Sequence, residues 1–152
     1  MPLRQYAYFA LFSRHVSADA MTFQLGMTPD EVTVRGSRFT EPAVVPVDHS
    51  WMVVCREPGL RVDEQITRVL DRLQPYTDRI CDLTGQLART SGGAALHVVR
   101  YFNDIDQAHP SAVDAPSLLG WHLDRNVLDF LSVTGAELDI DEYDMAGAED
   151  AR

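Results

Sequence analysis

Two stretches of the chain are apolar at both odd and even positions, which is typical of strands that are covered on both faces. They are residues 6–12 and residues 94–102. A further long strand is predicted at residues 44–56, where Pro46 removes one backbone donor and so places that end at an edge or a bulge. A shorter strand is predicted to begin at Val32 and to close at Gly36.

The clearest helical pattern runs from Val62 to Leu73, where apolar residues recur every three or four positions. Pro75 predicts the end of this helix, and Asp78 is the predicted cap of the helix that follows it. An additional short helix is predicted over residues 20–25, because the glycine that comes next is a typical helix terminator.

Residues 117–134 allow two interpretations. One continuous helix would contain Gly120, at a cost of about 1 kcal/mol relative to alanine. In the interpretation that we favour, residues 119–123 form a strand and Asp124 caps a helix from Arg125 to Val133. Beyond Gly135, apolar and acidic residues alternate over 136–143, which predicts a strand with one solvent-exposed face.

This mixture of strands and helices predicts an α+β fold. We expect a two-layer sandwich in which a mainly antiparallel sheet packs against several helices. A chain of 152 residues fits one domain, which we place at residues 1–144, followed by an acidic, disordered tail over 145–152. Cys55 and Cys81 form no closely spaced motif, so reduced and buried thiols are expected.

The charge is strongly acidic and unevenly distributed. The formal net charge is −10, and residues 137–152 carry seven carboxylates against Arg152 alone. This balance disfavours binding to nucleic acid or to an anionic membrane and favours a basic partner. The basic residues are all arginine, which excludes a lysine Schiff base and a Walker-type phosphate lysine.

Neither a membrane span nor a signal peptide is expected. No apolar run approaches the roughly 20 residues that cross a bilayer, and the apolar N-terminal stretch is short and has no clear cleavage site after it. We therefore expect the protein to reside in the cytoplasm. Because a basic content made up of arginine alone is typical of GC-rich bacterial genomes, we also expect a bacterial source.

Several short motifs resemble a bacterial family, the domain of unknown function 4279. They are the aromatic opening strand, Leu25-Gly26-Met27 followed by Pro29, the pair Arg35-Gly36, Trp51, and the closing Leu131…Gly135-Ala-Glu-Leu-Asp-Ile-Asp141…Tyr143. The resemblance spans residues 6–143, and it departs from the family at the first helix, where Ser17-Ala-Asp19 replaces an acidic-proline start. It implies a compact α+β fold and supplies no catalytic residues.

The densest carboxylate cluster lies in the last predicted strand. Its members are the candidate partner-binding residues Asp139, Asp141, Glu142 and Asp144. A solvated strand face is the common structural explanation for such a cluster. A calcium loop of the EF-hand type would need a central glycine and a terminal glutamate at fixed spacing, and both are missing.

The histidines are scattered and form none of the short metal-binding motifs. We therefore predict no metal, no cofactor and no catalytic residue. His49 and Cys55 share one strand face but lie about 20 Å apart, too far to act as a nucleophilic pair. His97, His122 and Trp51 remain as candidate residues of a pocket.

Three functional hypotheses follow, in order of preference. The first is a non-enzymatic binding or interaction protein that engages a basic partner, for example an immunity-type inhibitor of a basic toxin. The second is a homodimeric assembly protein, in which a second copy covers an exposed apolar sheet face. The third is a small hydrolase or ligand-binding enzyme, in which His97, His122 and carboxylates of the last strand line a cleft.

Overall fold

The computed structural model describes residues 3–37, 45–104 and 119–147. Within these ranges it contains five strands, four α-helices and one 3₁₀ turn. The strands are β1 (Leu3–Ser13), β2 (Glu31–Thr33), β3 (His49–Cys55), β4 (Gly93–Phe102) and β5 (Glu137–Asp144). The helices are α1 (Ala18–Leu25), α2 (Val62–Leu73), α3 (Thr77–Ala88) and α4 (Arg125–Thr134), with the 3₁₀ turn at Gln74–Tyr76.

The strands form one mixed sheet in the order β2-β3-β1-β4-β5. The pairs β2–β3, β3–β1 and β1–β4 are antiparallel, whereas β4 and β5 run parallel. The parallel pair forms because the chain passes through α4 before it returns to the sheet, as crossover connections require. The predicted α+β class, with helices packed on a mainly antiparallel sheet, is confirmed.

All four helices contribute to one hydrophobic core on a single face of the sheet. The sheet contributes alternate residues to this core: Ala7, Phe9, Leu11, Trp51, Val53, Ala94, Leu96 and Val98. Burying such side chains is worth roughly 25 cal/mol per Å² of apolar surface. The opposite face of β1 was expected to be covered as well. It carries half-buried Tyr6 and Tyr8, and its shielding comes from side chains of adjacent strands, such as His97 stacked on Tyr8.

The helices of the sequence prediction are largely confirmed. The helix over Val62–Leu73 has the predicted bounds, and Pro75 lies in the 3₁₀ turn that ends it. Asp78 lies in the first turn of α3 and is not its cap. Asp124 accepts the backbone N–H of Val127 at 3.0 Å and so caps α4, as predicted.

One strand prediction is wrong, and a second is wrong in part. Residues 119–123 form no strand, because the arginine side chains of Arg100 and Arg61 donate to the carbonyls of Leu119 and Gly120. Residues 45–48 also lie outside β3, where the Pro46 carbonyl accepts the N–H of Gly36 at 3.0 Å. Residue 56, the last of that prediction, also lies outside β3, and residue 44, the first, lies outside the described residues.

The predicted tail begins within the described residues and continues beyond them. Met145 donates its backbone N–H to the Phe102 carbonyl at 2.8 Å, which extends the pairing of β4 and β5 by one bond. Residues 148–152 lie outside the described ranges. Cys55 and Cys81 are free and only half-buried. In the described part of the chain, no helix combines the length and the apolar character that crossing a bilayer requires.

Candidate functional site

The candidate site is the face of the sheet that points away from the four helices, which we call the open face. Side chains alternate between the two faces of a strand, so the register of β1, β4 and β5 decides which residues meet there. Three rows result: Tyr8–His97–Asp139, Tyr6–Val99–Asp141 and Arg4–Tyr101–Tyr143.

The first row brings a tyrosine, a histidine and a carboxylate together. The rings of Tyr8 and His97 stack with centroids 4.5 Å apart and an interplanar angle of 11°. Nδ1 of His97 lies 3.6 Å from Oδ2 of Asp139. Burial lowers the pKa of His97, although the charges of Asp139 and Asp141 act in the opposite direction. His97 is therefore neutral near pH 7.

The second row adds a ring and a second exposed carboxylate. The Tyr6 ring stacks on that of Tyr8 at 6.1 Å, and the guanidinium of Arg56 lies 4.2 Å above Tyr6. Burial raises the pKa of Tyr8 to about 12, helped by the charges of Tyr6, Asp141 and Asp139. The Tyr8 hydroxyl therefore stays protonated and presents a neutral polar group beside the carboxylates.

The third row repeats the contact between arginine and tyrosine. The guanidinium of Arg4 lies 3.9 Å above the Tyr101 ring, and its Nε donates to Asp104 at 2.7 Å. Tyr101 in turn stacks on Tyr143 at 5.0 Å with an interplanar angle of 16°. Two tyrosines of the open face thus already bind guanidinium groups of their own chain.

The four acidic candidates of β5 divide between the two faces. Glu142 and Asp144 point toward the helix side, where Glu142 pairs at 3.1 Å with Arg100, a residue only 4% exposed. Asp144 accepts hydrogen bonds from the Asn103 side chain and from the backbone of Ala146. These two carboxylates therefore hold the end of the sheet together.

Asp139 and Asp141 lie on the open face, and both are exposed. In the described part of the chain neither is paired with an arginine, and the contact of Asp139 is with a neutral histidine. Two negative charges therefore stand beside stacked aromatic rings without a cation of their own.

His122 lies on the helix side and does not join His97. Its Nδ1 is 3.0 Å from Oδ2 of Asp63, which also accepts from Arg61 at 3.1 Å. These residues, with Asp124 and Val127, line a shallow groove of about 260 Å³ where α2 and α4 begin. The groove contains a histidine and carboxylates, but none of these carboxylates comes from β5.

Trp51 lies in the core, fully buried, and its indole N–H donates to the hydroxyl of Thr22 at 3.1 Å. It faces α1 rather than a groove. Among residues 3–37, 45–104 and 119–147, no group of three or more histidine, cysteine or acidic side chains is placed to hold a metal ion.

One comparison with known protein families gives a match that spans the described fold. The model of the family described as Domain of unknown function (DUF4279) matches residues 3–145. The chain belongs to this family. The matched span contains all five strands described above, and the resemblance drawn from the short motifs is confirmed. Comparison with curated proteins and with solved structures finds no match.

Sequence reasoning missed the tyrosines and arginines of the open face in this DUF4279 domain. The alternation of Tyr6 and Tyr8 is visible in the sequence, whereas Tyr101 and Tyr143 belong to different strands and are brought together only by the register. Which side chains meet in a row is decided by the register of the strands, because each row takes its residues from three strands that lie far apart in the sequence.

Proposed function

We propose that this protein is a non-enzymatic interaction protein that binds a basic protein partner through its open face. One observation carries the proposal: Asp139 and Asp141 are exposed beside stacked aromatic rings, and no arginine of the described residues neutralises them. Carboxylates without a structural partner, next to rings, are suited to the arginine and lysine side chains of another molecule.

The aromatic rows support arginine as the contact of choice. Arg4 and Arg56 already stack on Tyr101 and Tyr6, which demonstrates that rings on this surface accept a guanidinium group. Tyr143 ends its row and is 47% exposed, so its ring offers the same contact to a partner. Tyrosine and arginine are also among the residues that contribute most to binding in protein interfaces.

The net charge of −10 supports the same partner class, because an acidic surface attracts a basic protein and accelerates their encounter. An immunity-type inhibitor that covers the basic active site of a toxin is one concrete form of such an interaction. Binding of this kind weakens as the salt concentration rises.

The test is a comparative capture experiment with three tagged proteins in nuclease-treated lysate of the source organism. They are the wild type, the variant D139N/D141N, and the matched control D71N/D82N, which removes two exposed carboxylates on α2 and α3. The captured proteins are identified and quantified by mass spectrometry. We expect a basic protein that the wild type and the control retain equally and that D139N/D141N loses.

Equal retention by all three proteins would contradict the proposal, and so would the absence of any stoichiometric partner. Circular dichroism of the three proteins serves as the control for folding. We expect all three spectra to agree, because all four substituted residues are exposed.

A second candidate function rests on the groove at His122. Nδ1 of His122 lies 3.0 Å from Oδ2 of Asp63, and a histidine beside a carboxylate is a residue pair that general bases use. The hydroxyl that lines the same groove, Thr67, donates to the Asp63 carbonyl at 2.9 Å and is not positioned as a nucleophile. The pair therefore favours ligand binding or activation of water over covalent catalysis.

A panel of ester and phosphoester substrates tests this alternative. The wild type is compared with H122A and with H15A, which removes an exposed histidine outside the groove. Turnover that only H122A loses would establish the enzyme; no turnover by the wild type, or equal turnover by all three, would remove it.

A further inference from the structure

Among the described residues, β5 is an edge strand and the hydrogen-bonding side that faces away from β4 has no strand partner. It lies at one end of the sheet and pairs with β4 alone in the part of the chain that the structure describes. The backbone N–H of Met145 points to β4, so by alternation the odd-numbered residues of β5 do too. The backbone groups of Leu138, Ile140, Glu142 and Asp144 point outward.

The side chains of this edge form two rows of opposite character. Glu137, Asp139 and Asp141 make an acidic row on the open face. Leu138 and Ile140 make an apolar row on the helix side and are 38% and 43% exposed. An exposed strand edge with apolar side chains is a template for a further strand.

A second copy of this chain is a poor occupant of that edge. Side chains of paired strands that lie on the same face stand directly opposite each other. Antiparallel pairing of two copies of β5 would therefore place the carboxylates of one acidic row against those of the other. Like charges in this position destabilise a sheet, which leaves a strand of opposite charge as the complementary occupant.

We propose that β5 accepts an extended segment of a basic protein as a sixth strand of the sheet. Arginine or lysine at alternate positions of that segment would lie opposite Asp139 and Asp141, and apolar residues between them opposite Leu138 and Ile140. The inference rests on the proposed function and adds the conformation and the sequence pattern of the partner. Main-chain hydrogen bonds supply affinity in this mode, and alternate side chains supply specificity.

The probe is a synthetic eight-residue peptide of alternating arginine and valine, blocked at both ends and labelled with fluorescein. Its binding is followed by fluorescence anisotropy. Two derivatives carry N-methyl groups, one on the amides of two central arginines and the other on those of two central valines. A strand directs alternate amides to opposite sides, so only one derivative loses its hydrogen bonds to β5.

We expect one N-methylated peptide to bind about tenfold more weakly or worse, and the other to bind like the parent peptide. Equal effects of the two modifications, or no binding of the parent peptide, would overturn strand addition. Neither result bears on the proposed function: a partner captured through Asp139 and Asp141 would still establish that function, with a different mode of docking.

Matched variants test the side-chain pattern. We expect D139N/D141N to weaken the parent peptide about three- to tenfold, as two exposed cross-strand ion pairs do, while D71N/D82N leaves its affinity unchanged. Equal weakening by both variants would indicate attraction by net charge alone and would overturn the assigned register. Sedimentation of the wild type is expected to show a monomer; a dimer that buries β5 would overturn the choice of occupant.

Discussion

His97 is the titratable side chain at the centre of the open face, and its burial decides its charge. Desolvation lowers its pKa more strongly than Asp139 and Asp141 raise it. The folded protein therefore resists protonation of His97, whereas the unfolded chain takes up the proton at the ordinary pKa of 6.5.

The first prediction concerns this pH dependence. A folded-state pKa below the unfolded value gives stability that is present above about pH 6.5 and is lost as the pH falls through the lower folded-state pKa. We expect the free energy of unfolding of the wild type to decrease below pH 6.5 more steeply than that of H97N. Urea unfolding between pH 5 and pH 8 measures it, with H15N as control; parallel curves for the wild type and H97N would contradict the prediction.

The second prediction concerns Arg100, which is buried and bonds to Gln5, Glu142 and the carbonyl of Leu119. We expect R100M to lose about 2–3 kcal/mol of stability, because the protein loses three hydrogen bonds donated by a buried, charged guanidinium group. The control R56M removes an exposed arginine and its ion pair with Glu31, and should cost about 1 kcal/mol or less. Denaturant unfolding compares the two; equal losses would contradict the assigned role of Arg100.

At the scale of the elements, the periodic pattern of the sequence predicts α2 with its bounds, because its apolar stripe faces the core throughout. Alternation likewise predicts β5 and places Asp139 and Asp141 on one face. Alternation also implies that Glu142 and Asp144 lie on the other face. The four carboxylates that the sequence analysis grouped as one cluster therefore do not share one surface.

Other features depend on partners that no local pattern specifies. The alternation of residues 119–123 resembles that of a strand. In the structure, however, Arg61 at the start of α2 and Arg100 in β4 donate hydrogen bonds to backbone carbonyls of this segment. The parallel pairing of β5 and the three rows of the open face depend on register between strands far apart in sequence. Periodicity predicts which side chains share a face of a strand, but it does not predict which strand pairs with it.

The third prediction concerns the start of α4, whose position sets the crossover into β5. Asp124 caps this helix through the N–H of Val127, so D124A should lose about 1 kcal/mol of stability. D129A, an exposed change within the same helix, should be nearly neutral. Thermal unfolding compares them, and a neutral D124A would show that the cap is dispensable.

At the scale of the whole molecule, the described helices all lie on one face of the sheet, and the opposite face carries aromatic rows that end in an acidic edge. The two faces of the sheet differ in the contacts that their side chains make. The helix side holds the core and its buried polar contacts, whereas Asp139 and Asp141 on the open face have no arginine partner among the described residues. These two carboxylates are the part of the surface that supports the proposed basic partner.

The most direct test is to map the binding surface by NMR, titrating the alternating arginine–valine peptide into uniformly ¹⁵N-labelled protein. We expect the largest amide shifts along β5 and at Tyr8, His97 and Tyr101 on the open face, and we expect D139N/D141N to need about three- to tenfold more peptide to reach the same shifts. Shifts confined to the groove at His122, or a titration of D139N/D141N that follows that of the wild type, would contradict recognition of a basic partner by this face.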